Sequence, residues 1–352
     1  MKLTHDVVTV RTTYPFVIAR GGSSEWRLVR VRLVDRDGVE GWGEAAPSRF
    51  YGETAETVIA ALERLAPVAE QILTRDAFAL EDLESELPKV LRFNGAARAA
   101  ISAAAHDLVG KRLGVPVWKL WGLDRAKAPL SSFTIAIAPT DEELVRRVQD
   151  AAAYPVLKVK LGTDRDAEIV RLVRAATPDK VLRVDANAAW TPKHALHMMD
   201  VLVEQGVEFV EQPLPPHDLN GLRFVRERAP LPIVADESCL TSADVPKLAG
   251  VVDGINIKLA KCGGLREALR MIATARAHGM LVMAGCMIET SLGISAAAQF
   301  APLLDYADFD GAALLAEDPF VGASIEGGRV ALADAPGLGV RERREDLRVR
   351  TA

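Results

Sequence analysis

Five ionisable residues recur at nearly even spacing through the second half of this 352-residue chain. Lys160, Asp185, Glu211, Asp236 and Lys261 lie 25, 26, 25 and 25 residues apart. Each follows a short apolar run: Lys160 ends Leu157-Lys158-Val159-Lys160, Asp185 ends Leu182-Arg183-Val184-Asp185, Glu211 follows Phe209-Val210, Asp236 follows Ile233-Val234-Ala235, and Lys261 comes after Ile255 to Ala260. One strand-plus-helix unit takes about 25 residues. Such spacing therefore carries each residue one unit further round a sheet, at the same level. Three carboxylates converging this way resist joint ionisation unless a cation joins them. An all-oxygen ligand set suits Mg²⁺, with Mn²⁺ as the alternative. One acid at a strand end commonly just caps the next helix, but three in step with two lysines are better explained by a shared task.

The lysines suggest that task. In an eight-stranded barrel, strands 2 and 6 lie on opposite sides of the axis, so Lys160 and Lys261 face each other across the acids. Removing a proton from one face of a carbon and returning it on the other needs two such bases. A lysine is protonated near neutral pH; nearby cations disfavour its charged form. Lys158, two residues before Lys160 on a strand, points to the same face and suits that electrostatic role, with Lys258 as its counterpart opposite. The α-proton beside a carboxylate is a very weak acid, and removing it gives an enediolate. A metal on that carboxylate stabilises the new charge more than the old. The pairing of lysine with Mg²⁺ is the known arrangement of enolase-type sites.

These residues need a scaffold. From about Leu130, eight short apolar runs alternate with amphipathic stretches: Ser132–Ile137, Val156–Leu161, Val181–Val184, Val207–Val210, Ile233–Ala235, Gly254–Ile257, Leu281–Ala284 and Ala307–Phe309. Eight βα units predict a closed parallel barrel. An open doubly wound sheet is the competing layout, and the lack of a GxGxxG turn counts against it. Upstream, Leu28 to Val34 alternates, Asp37-Gly38 turns and Val39 to Glu44 returns, as paired strands do. Thr54 to about Gly114 reads as helices, so residues 1–120 form an α+β domain. The Ala-rich stretch from Ala96 to Gly110 contains Arg98, His106 and Asp107, and reads as a buried helix rather than a membrane span.

The net charge of −5 comes with no run of like charge, which argues against nucleic-acid or membrane surfaces. Cys239, Cys262 and Cys286 are widely separated and form no CxxC. With no apolar leader at the start, a cytoplasmic protein is expected. His194 and His197 fall on the helix after strand 3, at the wrong end for a site, and read as a surface pair.

The motifs Lys158-Val159-Lys160, Asp185-Ala186-Asn187, Glu211-Gln212-Pro213, Asp236-Glu237-Ser238 and Asn256-Ile257-Lys258 through Lys261-Cys262-Gly263-Gly264 resemble those of the enolase superfamily, muconate-lactonising-enzyme subgroup, over nearly the whole chain. The resemblance implies a modified (β/α)₇β TIM-like barrel over 121–319. It also implies an N-terminal capping domain completed by the tail, 320–352. Within the group the chain looks most like the dipeptide epimerases that act on L-Ala-D/L-Glu. That likeness implies that Asp308 and Asp310 bind the substrate's α-ammonium, and a buried ammonium does need an acidic partner. It implies that Arg20, in the loop Pro15 to Gly21, pairs with a substrate side-chain carboxylate. It also makes the backbone of Cys286 and Ile288 a support for the dipeptide, and Thr134 a further contact. Asn187 and Lys258 stand behind the direct ligands. Glu289, in the same segment as Cys286, has no assigned role. A homo-oligomer with a place in murein peptide metabolism is the corresponding expectation.

Rival readings remain open at this point. An o-succinylbenzoate synthase or N-succinylamino-acid racemase would use the same metal and lysines, but its acylated substrate lacks the ammonium that Asp308 and Asp310 would hold. A muconate cycloisomerase would bring a dianion against those acids. A non-catalytic metal-binding relative would have little reason to keep both lysines.

Overall fold

The computed structural model describes residues 1–343; the end of the expected tail, 344–352, lies outside them. Three antiparallel strands open the chain, β1 (Lys2–Ile18), β2 (Gly21–Val34) and β3 (Glu40–Ala45), with β2 central. Helices α1 (Ala55–Arg75), α2 (Leu80–Val90) and α3 (Gly95–Leu113) follow. Helix α3 is buried continuously from Gly95 to Gly110, because it is wedged between the sheet, the other two helices and the second half of the chain. Its alanines allow close approach. At Gly43 of β3 the approach is closer still: a Cβ there would stand 2.0 Å from the Ala100 carbonyl oxygen. Among the described residues no helix is long and apolar enough to cross a membrane.

Eight parallel strands then run in sequence order: β4 (Phe133–Ile135), β5 (Val156–Lys160), β6 (Val181–Asp185), β7 (Val207–Glu211), β8 (Ile233–Ala235), β9 (Gly254–Ile257), β10 (Leu281–Gly285) and β11 (Tyr306–Asp308). The Ser132 N–H donates to the Ala307 carbonyl at 3.0 Å, joining the last strand to the first. The result is the expected parallel barrel, not an open doubly wound sheet. The spans of all eight strands match the apolar runs to within three residues, as buried parallel strands should.

Register explains why the site residues share the interior. Lys160 pairs with Asp185, Asp185 with Glu211, and Glu211 with Val234. In-register neighbours point the same way and residues two apart on a strand share a face. Asp236, two beyond Val234, therefore joins Glu211 inside. The N-terminal end of the interior is plugged by Phe209, Val234, Met283 and Tyr306. Arg183 stacks on Phe209 and Tyr306 and bonds Glu208 at 2.8 Å. The charged residues are left at the C-terminal mouth, where barrel enzymes carry their chemistry.

One expectation needs adjusting. Lys261 does not end a strand: β9 stops at Ile257, and Lys261 lies in a short helical turn, Leu259–Cys262. The apolar residues Leu259 and Ala260 belong to that turn. After β11, a short strand Phe320–Val321 pairs with Arg341–Glu342. Glu342 reaches Arg30 of β2, and Leu338 N–H donates to Asp107 of α3 at 2.8 Å. The described part of the tail thus packs on the N-terminal domain.

Candidate active site

Asp185, Glu211 and Asp236 are buried, and each offers a carboxylate oxygen within 4.8 Å of the others. Lysines approach from both flanks. Lys160 Nζ lies 2.7 Å from Asp185 Oδ2. On the far flank, Lys261 Nζ lies 2.6 Å from Asp236 Oδ1 and donates to the Asn256 carbonyl at 2.9 Å. Lys258 Nζ lies 2.8 Å from Asp236 Oδ2. The register makes room for it, because a Cβ on Gly285 would meet Lys258 Cε at 3.3 Å.

Lys158 takes a central place. Its Nζ is 2.7 Å from Glu211 Oε2, 2.9 Å from Asp308 Oδ2 and 3.3 Å from Asp185 Oδ2. Burial works against the ammonium, but Asp308, Glu211 and Asp185 together hold its pKa well above the usual lysine range. This lysine stays cationic, as its proposed electrostatic role requires. Glu211 Oε2 gains that charge without an aligned hydrogen bond. Around it, Asn187 Oδ1, Glu237 Oε2 and Asn256 Oδ1 are buried acceptors that find no donor among the described residues. Buried acceptors without donors are rare. Their clustering around three carboxylates fits a hard divalent cation, so Asp185, Glu211 and Asp236 are suited to hold one.

Asp308 and Asp310 sit on the opposite rim. Ser132 Oγ donates to Asp308 Oδ1 at 2.6 Å, and Thr134 N–H donates to Asp310 Oδ2 at 2.6 Å. With Asp308 also paired to Lys158, Asp310 is the less compensated of the two. Burial and then the charge on Asp308 push its carboxyl up to about 6. The Cys286 thiol lies 3.8 Å from Asp310 Oδ1. The Ile288 side chain points away, into an apolar cluster with Val10, Leu28, Ala46 and Leu315; its expected contact is through the backbone. Glu289 is buried and accepts from the Met287 N–H at 2.9 Å. His194 and His197 lie on the helix Pro192–Glu204, away from the site.

Arg20 reaches the site but already has partners. Its Nη2 pairs with Glu237 at 2.7 Å and its Nη1 donates to the Asn187 carbonyl at 2.5 Å. Its guanidinium lies 4.2 Å from the Phe50 ring centre. Asn187 in turn donates its N–H to Asp185 Oδ1 at 2.8 Å. The sequence assigned no role to Phe50, Tyr51, Ser132, Asn256 or Glu237, although Glu237 and Asn256 fall within the motifs quoted above. Burial raises the Tyr51 phenol, and the charges of Asp236, Glu237 and Asp185 add to the effect. Asn256 Nδ2 donates to Glu211 Oε1 at 2.8 Å. Inward register from Gly254 would have found Asn256; the cap residues carry no such signal.

Residues 2–122 match the family described as mandelate racemase / muconate lactonizing enzyme, N-terminal domain, and 141–346 match that described as enolase C-terminal domain-like. The chain belongs to the enolase superfamily. Its relatives include an L-Ala-D/L-Glu epimerase of Bacteroides thetaiotaomicron, 41% identical over 97% of this chain and 88% of the relative. A hydrophobic dipeptide epimerase of a Flavobacteria bacterium is 38% identical over 96% and 97%. Among solved structures, a dipeptide epimerase from Enterococcus faecalis complexed with Mg and L-Leu-L-Tyr superposes with a TM-score of 0.90. It is 33% identical, covering 96% of this chain and 98% of that one.

Proposed function

We propose that the chain is a metal-dependent dipeptide epimerase that moves the α-proton of the C-terminal residue of a dipeptide such as L-Ala-L-Glu. The observation that carries this reading is the arrangement of three mutually close buried carboxylates with a lysine on each flank. Lys160 removes the α-proton from one epimer and Lys261 from the other; whichever remains protonated returns a proton on its own face. A divalent cation on Asp185, Glu211 and Asp236 supplies charge compensation for the enediolate. Asp310, aided by Asp308, holds the substrate ammonium. Thr134 and the backbone of Cys286 and Ile288 line the dipeptide, while Asn187 and Lys258 orient the acids. A guanidinium has five N–H donors, so Arg20 keeps some for an acidic side chain on the substrate.

Residues 1–120 with the tail from 320 form the cap in this reading, and 121–319 form the catalytic barrel. Three unpaired cysteines fit a reducing compartment such as the cytoplasm. The acidic pair at Asp308 and Asp310 favours a free amino terminus over the acylated substrate of an N-succinylamino-acid racemase.

The test is a mass-spectrometric screen of L-Ala-L-Xaa and L-Xaa-L-Glu libraries in D₂O with Mg²⁺. A gain of one deuterium that vanishes when Lys160→Ala and Lys261→Ala are combined in one protein, each single variant keeping at most exchange into the epimer its remaining lysine faces, supports the proposal. Metal binding without exchange across the libraries contradicts it.

A further inference from the structure

The helix Leu265–Ala277 begins three residues after the turn that carries Lys261 ends. The first N–H groups of a helix have no partner within it, and its N-cap here, Gly264, has no side chain to offer. The partners come from the N-terminal domain. Ser102 Oγ, on α3, accepts from the Leu265 N–H at 3.0 Å. Glu84, on α2, accepts from the Arg266 N–H through Oε1 and from the Glu267 N–H through Oε2, both at 2.9 Å. The Ser102 hydroxyl donates to Glu84 Oε1 at 2.6 Å. A carboxylate here also meets the positive end of the helix dipole. The Glu84 side chain is 3% exposed, so these bonds form away from water, where losing one is costly. A Cβ on Gly264 would stand 2.3 Å from Glu84 Oε2; the carboxylate occupies the place of a capping side chain.

The same domain also holds the backbone of the Lys261 turn. A Cβ on Gly95, the first residue of α3, would stand 2.5 Å from the carbonyl oxygens of both Ala260 and Lys261. Arg98, one turn along, covers Gly263. A turn as short as Leu259–Cys262 has little stability of its own. The Lys160 backbone is different: it ends β5, inside the barrel's hydrogen-bonded ladder, in register with Asp185.

We infer that Glu84, with Ser102, is a positioning residue for Lys261: the cap fixes the backbone mount of one base, while the ladder of the barrel fixes the backbone mount of the other. This rests on the epimerase reading above. Loosening Glu84 then slows proton transfer at Lys261 and spares that at Lys160.

The experiment uses full-length Glu84→Ala, Glu84→Gln and Ser102→Ala proteins with Mg²⁺ in D₂O. Each is given, separately, both epimers of a dipeptide that the parent protein interconverts. Deuterium gain is followed by NMR and inversion by chiral chromatography. Misplacing a reacting group by about 1 Å costs on the order of a hundredfold. Inversion in Glu84→Ala is therefore expected to fall about ten- to a hundredfold, together with exchange into one epimer. Exchange into the other epimer continues, with retention, within about twofold of the parent. Glu84→Gln keeps an acceptor oxygen and recovers part of the inversion. Equal slowing of exchange into both epimers overturns the inference, as does unchanged inversion in all three variants. If Glu84→Ala does not fold, judged by circular dichroism, the other two variants decide by the same criterion. A parent protein that exchanges neither epimer of any dipeptide overturns the epimerase reading instead, whatever Glu84 does.

Discussion

Replacing Lys158 with methionine keeps most of the side-chain volume and removes a cation from among three acids. The partners left behind set the magnitude. Asp185 keeps Lys160 at 2.7 Å and Asp308 keeps Ser132 at 2.6 Å. Glu211 keeps only the Asn256 amide, at 2.8 Å, and becomes a buried charge without a countercharge in contact. Removing one partner of a buried ion pair costs about 3–5 kcal/mol. Unfolding entropy near 2.1 cal/mol/K per residue over 352 residues converts this to a fall in Tm of roughly 4–7 °C. The loss should appear in EDTA and shrink in excess Mg²⁺, because a divalent cation compensates the same carboxylates and stabilises the folded state by binding it. Differential scanning fluorimetry of parent and Lys158→Met, with EDTA and with Mg²⁺, reads both numbers. A fall below about 1 °C in EDTA, or an equal fall with and without Mg²⁺, would refute the reasoning.

Three other outcomes are expected. Gly43→Ala places a methyl 2.0 Å from the Ala100 carbonyl oxygen, so β3 and α3 must separate; overpacking of this kind costs about 3 kcal/mol, and an unchanged thermal midpoint would contradict the packing described. Burial lowers the His106 pKa to about 4, so between about pH 6.5 and 4 the unfolded chain binds a proton that the folded chain refuses. Stability therefore falls as pH drops through that window, by about 3 kcal/mol in total, and urea midpoints should show this part of the slope missing in His106→Gln. Asp310→Asn keeps an oxygen for the Thr134 N–H but loses the charge facing the substrate ammonium. Its kcat/KM for a free dipeptide should drop about ten- to a hundredfold, mostly through KM, and an unchanged KM would remove Asp310 from the ammonium site.

The barrel strands are legible in the sequence because strands buried on both faces are rich in Val, Ile and Leu, and the 25-residue step follows from that architecture. The metal acids and Lys160 inherit their positions from it. Lys261 is less legible: Leu259 and Ala260 prolong the apolar run, although the backbone turns helical after Ile257. The partnership of Lys158 with Asp308 joins residues 150 apart and exists only once the barrel closes; local spacing pairs Lys158 with Lys160 instead. Phe50 meets Arg20 through the folding of the cap itself; Tyr51 meets the acids, and Glu237 meets Arg20, only through docking of the cap, which no periodicity encodes. For the same reason the sequence presents Arg20 as a free guanidinium, whereas the fold ties it to Glu237.

The account stands or falls on where the two amines lie relative to the substrate carbon, and a crystal structure with Mg²⁺ and a slowly turned-over dipeptide measures that directly. It should show one cation touching Asp185, Glu211 and Asp236, with Lys160 and Lys261 Nζ on opposite faces of the α-carbon, each about 3–3.5 Å away. Both amines on one face, or three acids that share no cation, would contradict it.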